Sequence, residues 1–484
     1  MNAPVLPAAP AALPLGNYYW VLPGQMLAGE HPAGATPELT QQRLAALLAA
    51  GITCFIDLTE PREAPAYEAA LPRAVRYLRC PIPDHGVPAD PALMRTIIDS
   101  ALAALREGRR IYLHCRAGIG RTGMVVGCLL AEGGVSGEVA VEELNRLWQQ
   151  SARSQQWVSI PETDAQTAYV CSWTPRAAAP DPLLEPATLA AARGLRARYL
   201  GALLGLATGD AVGVATQYRR PGRFSAVGDM LGGGPFDLPR GAWSDDTAMA
   251  LCVAESLLER EGFEAGDQVE RLRRWQQQGH LSATDQCVGI TAGTARALAR
   301  AQWRRQAFSG SHDPEALDPE TLSRVTPVVL YYFADRAQAI EKSAEAARLT
   351  CQAPAVLEAC RALAAALHAA LGGATRREVV AAAEALIGKT SRPQAHGQEG
   401  SAPAALATAL GLFARTENFR DAVLSAANLG GPSDVVAGIA GALAGAHYTQ
   451  SAIPAMWRNS LMKLDLLEGF ADRLLAHALV QFGS

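Results

Sequence analysis

Cys115 and Arg121 stand six positions apart in the run HCRAGIGRTG (114 to 123), and this pair is the best placed in the sequence for covalent chemistry. A thiolate opens a phosphate monoester by in-line attack when its pKa is lowered, the equatorial oxygens are cradled and the departing oxygen is protonated. The backbone N–H groups of Arg116, Ala117, Gly118, Ile119 and Gly120 can wrap an anion, and Arg121 offers it a bidentate fork. The apolar stretch TGMVVGCLLAE that follows reads as a helix whose positive end faces the loop, which favours thiolate and phosphate alike. Thr122 stands where a hydroxyl either caps that helix or protonates and orients the departing thiolate. An inert strand-end cysteine before a Gly-rich turn explains neither the arginine nor the two glycines between.

A second group contains only oxygen donors. Ser244, Asp245 and Asp246 in GAWSDDTAMAL join two carboxylates to a hydroxyl, a set suited to hard cations such as magnesium, manganese or calcium. The same three residues also make a good N-cap and first turn. Asp434, in NLGGPSDVVAGIAGALAGA (428 to 446), can add a ligand from another helix start.

Two kinds of element must position these groups. Up to about residue 173, β-rich runs (ITCFIDL at 52 to 58, VRYLRCPI at 75 to 82, RIYLHC at 110 to 115) alternate with helical patterns, as in an α/β domain with a largely parallel sheet. After TPRAAAPDPLLEPAT (174 to 188), long apolar-periodic segments replace them, and the second domain is expected to be all-α. The expected layout is a disordered start over 1–16, an α/β domain over 17–173, a linker over 174–192 and a helical domain over 193–484. The region 391 to 403 reads as a polar, mobile loop.

At 484 residues the chain is long enough for several separately cored units. A net charge of -4 with scattered arginines offers no stripe for a nucleic-acid backbone, so no nucleic-acid partner is expected. Nine cysteines, odd in number and without CxxC pairs, fit a reducing compartment. The first residues lack the charge of a signal peptide and no apolar run reads as membrane-spanning, so the expectation is a cytoplasmic protein with no membrane partner.

Residues 17 to 173 resemble the tyrosine/dual-specificity phosphatase superfamily, whose pattern HCxxGxxR followed by Ser or Thr is met at every fixed position. The resemblance implies a cysteine-phosphatase fold, no cofactor for this domain, and a general acid on the loop PIPDHGVP (81 to 88), namely Asp84. It also points to Gln166 in SIPETDAQ as a water-positioning residue, although N-capping by Thr163 explains that segment equally well. His85, beside Asp84, either tunes substrate choice or is simply solvated.

Residues 195 to 480 resemble the ADP-ribosylglycohydrolase family through GALLGLATGDAVG, WSDDTAMAL and NLGG…D…AGIAGALAGAHY, in that order and spacing. The resemblance implies a two-magnesium site that promotes cleavage of ADP-ribose from an arginine or serine side chain. It assigns metal ligation to Ser244, Asp245, Asp246 and Asp434, and a place in the ADP-ribose cleft to Asp210, Gly430 and Gly431. One departure stands out: the family's late Gly-Gly-Asp-x-Asp-Thr is here Gly430-Gly431-Pro432-Ser433-Asp434-Val435. A carboxylate and a hydroxyl are replaced, so one magnesium ion or two are expected, the second weakened.

The reading is a bifunctional hydrolase, a cysteine-dependent phosphatase acting through a cysteinyl-phosphate joined to a metal-dependent ADP-ribosyl hydrolase. Its partners are a phosphorylated protein or small phosphate ester, and ADP-ribose or an ADP-ribosylated protein. Two alternatives remain open: a phosphatase carrying an impaired ADP-ribose-binding scaffold, or two sites acting on one phosphorylated ADP-ribose metabolite.

Overall fold

In the computed structural model, residues 13–175, 184, 186–387 and 400–482 are described. Residues 176–183 and 185 of the expected linker and most of the polar loop thus lie outside the described residues. The chain divides into two compact units, the second being Leu195–Ala478 and the first Met1–Gly194 together with Leu479–Ser484.

The first unit is built on a five-stranded sheet of β1 (Tyr18–Leu22), β2 (Met26–Gly29), β3 (Cys54–Asp57), β4 (Arg76–Arg79) and β5 (Ile111–His114), in the order β1-β2-β5-β3-β4. The pairs β2–β5, β5–β3 and β3–β4 are parallel, and only the β1–β2 hairpin is antiparallel. Side chains alternate between two cores, as the pleat requires. Met26, Ala28, Cys54, Ile56, Ile111 and Leu113 enter one core, which also holds side chains of α2 (Pro91–Arg106), α3 (Gly120–Ala131) and α4 (Gly137–Trp148). Leu27, Phe55 and Tyr112 enter the other, with Leu44 and Leu47 of α1 (Pro37–Ala49). Leu15 is buried in this second core and Leu13 packs on it, so residues 13–16, expected to be disordered, are docked there by their apolar side chains. Helix α5 (Asp164–Cys171) begins with a capping box in which Thr163 and Gln166 bond reciprocally.

The second unit is helical. Its elements are α6 (Pro186–Gly213), α7 (Asp245–Glu259), α8 (Ala265–Gln278), α9 (Ala292–Arg304), α10 (Val325–Tyr331), α11 (Arg336–Arg348), α12 (Pro354–Leu371), α13 (Arg376–Glu384), α14 (Ala402–Arg415), α15 (Phe419–Ala427), α16 (Ser433–Tyr448), α17 (Ala455–Ser460) and α18 (Leu464–Phe482). Helix α6 already starts at Pro186, inside the expected linker. The expectation that no apolar run reaches membrane-spanning length is corrected: Ala190–Thr216 and Pro354–Leu371 are long and apolar enough by composition. Their apolar windows are 94% and 61% buried within the protein, where other helices take the place of lipid.

A seam of small residues sets how closely α6 and α16 approach. A Cβ at Gly201, Gly205 or Gly209 would lie 2.0, 2.2 or 1.9 Å from the carbonyl oxygen of Gly445, Gly441 or Ala437. The three glycines are four residues apart, so they share one face of α6. Further along, a Cβ at Gly213 would lie 2.6 Å from Cα of Asp434. Backbone contact between the helices therefore brings Asp434 against the end of α6. Gly205→Ala is expected to destabilise the protein by about 1–3 kcal/mol through this clash, although alanine is the better helix former. Gly411→Ala in α14, where a Cβ meets nothing within 4 Å, is expected to stabilise by about 0.5–1 kcal/mol. Thermal unfolding of the two variants checks both signs.

Candidate active sites

Strand β5 ends at His114 and delivers Cys115 to the carboxyl edge of the sheet. Gly118 has φ +74°, and a Cβ there would stand 2.5 Å from the backbone carbon of Gly29 at the end of β2, so the loop can take this path only with glycine. Its N–H points at the Cys115 sulfur, 3.3 Å away. Helix α3 begins at Gly120 with no side-chain cap, which leaves the N–H groups of its first turn for an anion. Thr122 is wholly buried and its hydroxyl has no partner. Of the two roles open to it, capping is the one not realised.

Arg121 is 2% exposed and already holds carboxylates. Its Nη1 donates to Glu63 Oε2 at 2.7 Å and to the Ile82 carbonyl at 3.0 Å. Its Nη2 bonds Glu63 Oε1 and lies 2.8 Å from Asp84 Oδ1. Burial works against its charge, but Glu63, the Cys115 sulfur and Asp84 outweigh burial and raise its pKa. Asp84, the general-acid candidate, thus stands beside Arg121, with its side chain 41% exposed. Gln166 Nε2 donates to the carbonyl of Gly86 at 3.0 Å, tying α5 to the Asp84 loop. His85 is mostly solvated, yet its ring nitrogens reach Glu162 at 3.4 Å and Asp84 at 3.7 Å.

Beneath the loop, His114 of the motif meets His31 and Asp57, two residues that sequence reasoning missed. His31, Asp57 and His114 bring potential ligand atoms within 4.8 Å of one another. Burial, the largest cause, pushes the His114 pKa down to about 4, so the ring is neutral. Tyr67, whose pKa burial drives far up, keeps its proton and donates it to His114 Nε2 at 2.6 Å. His114 Nδ1–H is then left to donate to the Cys115 carbonyl at 3.3 Å. His31 Nδ1 accepts from the N–H of Ala33 at 3.1 Å, which places its proton on Nε2. Neither ring keeps a lone pair for a cation, and the cluster acts as a hydrogen-bonded support for the cysteine loop. Asp57 completes it: burial opposes its charge, but His114, Thr59 and Tyr77 hold its pKa at about 2.

In the second unit, Ser244 caps α7 and Asp245 and Asp246 occupy its first turn. The N-cap reading of this motif is therefore realised, alongside the acidic cluster. Asp210, expected to line an ADP-ribose cleft, is instead fully buried. Its carboxylate accepts from Ser244 N at 3.0 Å, Thr247 N at 3.1 Å and Thr247 Oγ1 at 2.7 Å, so it anchors the start of α7. Asp434 lies in the first turn of α16 and accepts from Gln217 Nε2. Pro432 forms the N-cap of α16. Gly430 and Gly431 both have positive φ; Gly431 accepts from the Tyr218 N–H at 2.7 Å and donates its own N–H to the Arg219 carbonyl at 3.0 Å, which holds residues 218–219 against the start of α16.

The electrostatics of this cluster are one-sided. Burial first, then Asp434, raises the pKa values of Asp245 and Asp246 well above the carboxylate range. For Asp434, burial and then Asp210 push the pKa up to about 8. Glu320, not singled out from sequence, adds a fifth buried carboxyl, bonded by Thr291 and Thr294, and burial raises its pKa as well. Among the described residues no Lys, Arg or His forms an ion pair with any of the five. Ser323 satisfies Asp246 Oδ1 at 2.6 Å, but Asp246 Oδ2 and Asp434 Oδ1 are buried without a partner. Oxygen donors, excess negative charge and two unsatisfied carboxylate oxygens fit a hard divalent cation.

The family model described as ADP-ribosylglycohydrolase matches residues 191–482. The chain belongs to the ADP-ribosylglycohydrolase family. Residues 16–172 match the model described as Swiss Army Knife protein, DSP-PTPase phosphatase domain, so a phosphatase-family domain precedes the glycohydrolase domain. Among curated proteins, ADP-ribosylarginine hydrolase Tri1 of Pseudomonas putida is 34% identical over 295 residues, covering 58% of this chain and 78% of that protein. ADP-ribosyl-[dinitrogen reductase] glycohydrolase of Rhodospirillum rubrum is 28% identical, covering 58% and 96%. A solved ADP-ribosylglycohydrolase-related protein complex matches with a TM-score of 0.52 and 36% identity, over 59% of this chain and 99% of that one. Both domains belong to hydrolase families.

The glycohydrolase cluster predicts a pH signature. Asp434 takes up its proton at about pH 8 when folded, against an ordinary value of 3.8. The folded state therefore binds more protons between those values, and stability falls as pH rises from 3.8 through 8. Thermal unfolding with a chelator present is expected to show this fall, and Asp434→Asn is expected to flatten it.

Proposed function

We propose that the chain is a bifunctional hydrolase that removes phosphate at Cys115 and an ADP-ribosyl group at the acidic cluster. For the first reaction, the supporting observation is the Cys115 sulfur at the mouth of an uncapped helix with Arg121 and Asp84 beside it. The thiolate attacks phosphorus, the S–P bond forms as the P–O bond breaks, and the leaving oxygen takes its proton from Asp84. Water then attacks the cysteinyl-phosphate, Asp84 takes the water proton, and the thiolate departs toward the Thr122 hydroxyl. Arg121 must exchange Glu63 for the phosphate oxygens, so Glu63 holds the fork in its working orientation between turnovers.

For the second reaction, the reading rests on the two buried carboxylate oxygens that lack partners. Ser244, Asp245, Asp246 and Asp434 are the residues that would hold magnesium, one ion by this donor count. When bound, the ion polarises sugar oxygens and activates water for glycosidic cleavage. Asp210 keeps the start of α7 fixed, Gln217 orients Asp434, and Glu320 with Thr291 and Thr294 adds negative charge on another side. The similarity to an ADP-ribosylarginine hydrolase makes the bond between ADP-ribose and an arginine side chain the favoured substrate linkage.

Pro432 and Val435 favour a second reading, an ADP-ribose-binding domain with little turnover, because each removes an oxygen from the start of α16. Replacing Pro432 by Asp together with Val435 by Thr is expected to raise magnesium affinity and ADP-ribosylarginine hydrolysis. Isothermal titration and product assay check the two effects, and no gain in either contradicts the proposed cause of the damage. Cys115→Ser is expected to abolish hydrolysis of an aryl phosphate while phosphate still binds. Asp84→Asn is expected to slow hydrolysis by about a hundredfold, with a larger loss for poorer leaving groups.

A further inference from the structure

Between Asp285 and Asp313 the chain carries four arginines, Arg296, Arg300, Arg304 and Arg305, and no carboxylate, although the protein as a whole has a net charge of -4. This stretch contains α9. Arg296, Arg300, Trp303 and Arg304 follow one another at helical spacing and share a face. Arg296, Arg304 and Arg305 are exposed and Arg300 is half-buried. Trp303 is 80% exposed, an indole left almost entirely in water. The nearest ring-cation contact to it is Arg304, whose guanidinium carbon is 5.8 Å from the ring centroid. Among the described residues none of the four arginines makes an ion pair, and Arg300 Nε has no hydrogen-bond partner.

The ridge starts at the acidic cluster. Thr291, the N-cap of α9, and Thr294 in its first turn both donate to Glu320, whose charge is felt by Asp245 and Asp434. From there the helix carries positive charge away from the site. A rise of 1.5 Å per residue separates the three helical arginines by about 6 Å each, close to the roughly 6.7 Å between same-face side chains of an extended peptide.

We infer that the Arg296–Arg305 ridge of α9 docks an acidic, extended segment of the protein whose ADP-ribosyl group is being removed. The inference rests on the proposed ADP-ribosyl reading for what occupies the cluster, and on charge complementarity for what occupies the ridge. Arginine guanidinium groups take carboxylates in bidentate fashion, and Trp303 offers apolar area beside them. Four arginines on one short helix and its C-cap suit a few carboxylates of an acidic peptide, whereas a nucleic-acid strand would draw on a wider basic surface.

The test uses the full chain and a fluorescein-labelled poly-glutamate peptide, with binding read by anisotropy. The wild type is expected to bind, more weakly as salt rises. Arg300→Glu with Arg304→Glu, and separately Trp303→Ala, are expected to weaken binding, the double reversal by roughly tenfold or more, while Arg300→Lys with Arg304→Lys retains most of it. On an ADP-ribosylated arginine flanked by glutamates, the reversal is expected to raise KM about tenfold and leave hydrolysis of free ADP-ribosylarginine unchanged. Equal peptide binding by wild type and double reversal overturns the inference, as does tighter binding of a single-stranded oligonucleotide at the same ridge. If peptide binding follows the ridge charges but no ADP-ribosylated substrate is hydrolysed, the ridge stands and the proposed reaction fails.

Discussion

Five carboxyl groups buried together, none in an ion pair among the described residues, are the constraint on which the second domain depends. Asp210, Asp245, Asp246, Asp434 and Glu320 could not all ionise in a low-dielectric site unless something opposed their charge. The protein supplies partial opposition through N–H groups at the start of α7, hydroxyls of Thr247, Thr291, Thr294 and Ser323, and the amide of Gln217. Among the described residues no cationic side chain pairs directly with any of the five, and the buried Arg324 acts only on Glu320, from beyond ion-pair distance. Charge arranged in this way costs stability when the site is bare.

The backbone is shaped to hold that cluster. The carboxylates come from four separate segments, and those of α6 and α16 meet because the two helices touch backbone to backbone along Gly201, Gly205 and Gly209, so the end of one helix meets the start of the other. Gly430 and Gly431 turn the chain into α16 with positive φ, which sets Gln217 on Asp434. In the phosphatase domain the same logic operates with opposite charge. A buried arginine is held between Glu63 and Asp84, and a neutral histidine beneath the loop fixes the carbonyl of Cys115. One domain gathers buried carboxyl groups and the other holds a buried guanidinium.

Contiguous features were legible in the sequence. The loop from Cys115 to Thr122 is one strand end, one turn and one helix start, and its parts are neighbours in the chain, so spacing alone exposes them. Strands β3, β4 and β5 carry enough β-branched and aromatic residues to declare themselves, whereas β2 is only four residues long and β1 sits directly after a Pro/Ala-rich start that masks it. The partners of the site were hidden because they arrive from afar. Glu63, Tyr67 and His31 reach the cysteine loop from turns with no pattern of their own, and Glu320 enters the acidic cluster from a short 3₁₀ segment. Ser244-Asp245-Asp246 carried two readings that appeared to compete. The fold realises the N-cap, and it leaves the metal reading open, since a helix start is also a compact place to gather carboxylates.

Calorimetric titration of magnesium into the chelator-treated protein, in two buffers of different ionisation enthalpy, tests the central claim most directly. Carboxyl groups whose pKa values are raised by burial and mutual repulsion must give up protons when a cation arrives. The expected result is saturable binding with proton release to the buffer at neutral pH, both lost in Asp246→Asn. Absence of binding, or binding without proton release and unchanged in Asp246→Asn, would contradict a cation site built from these carboxylates.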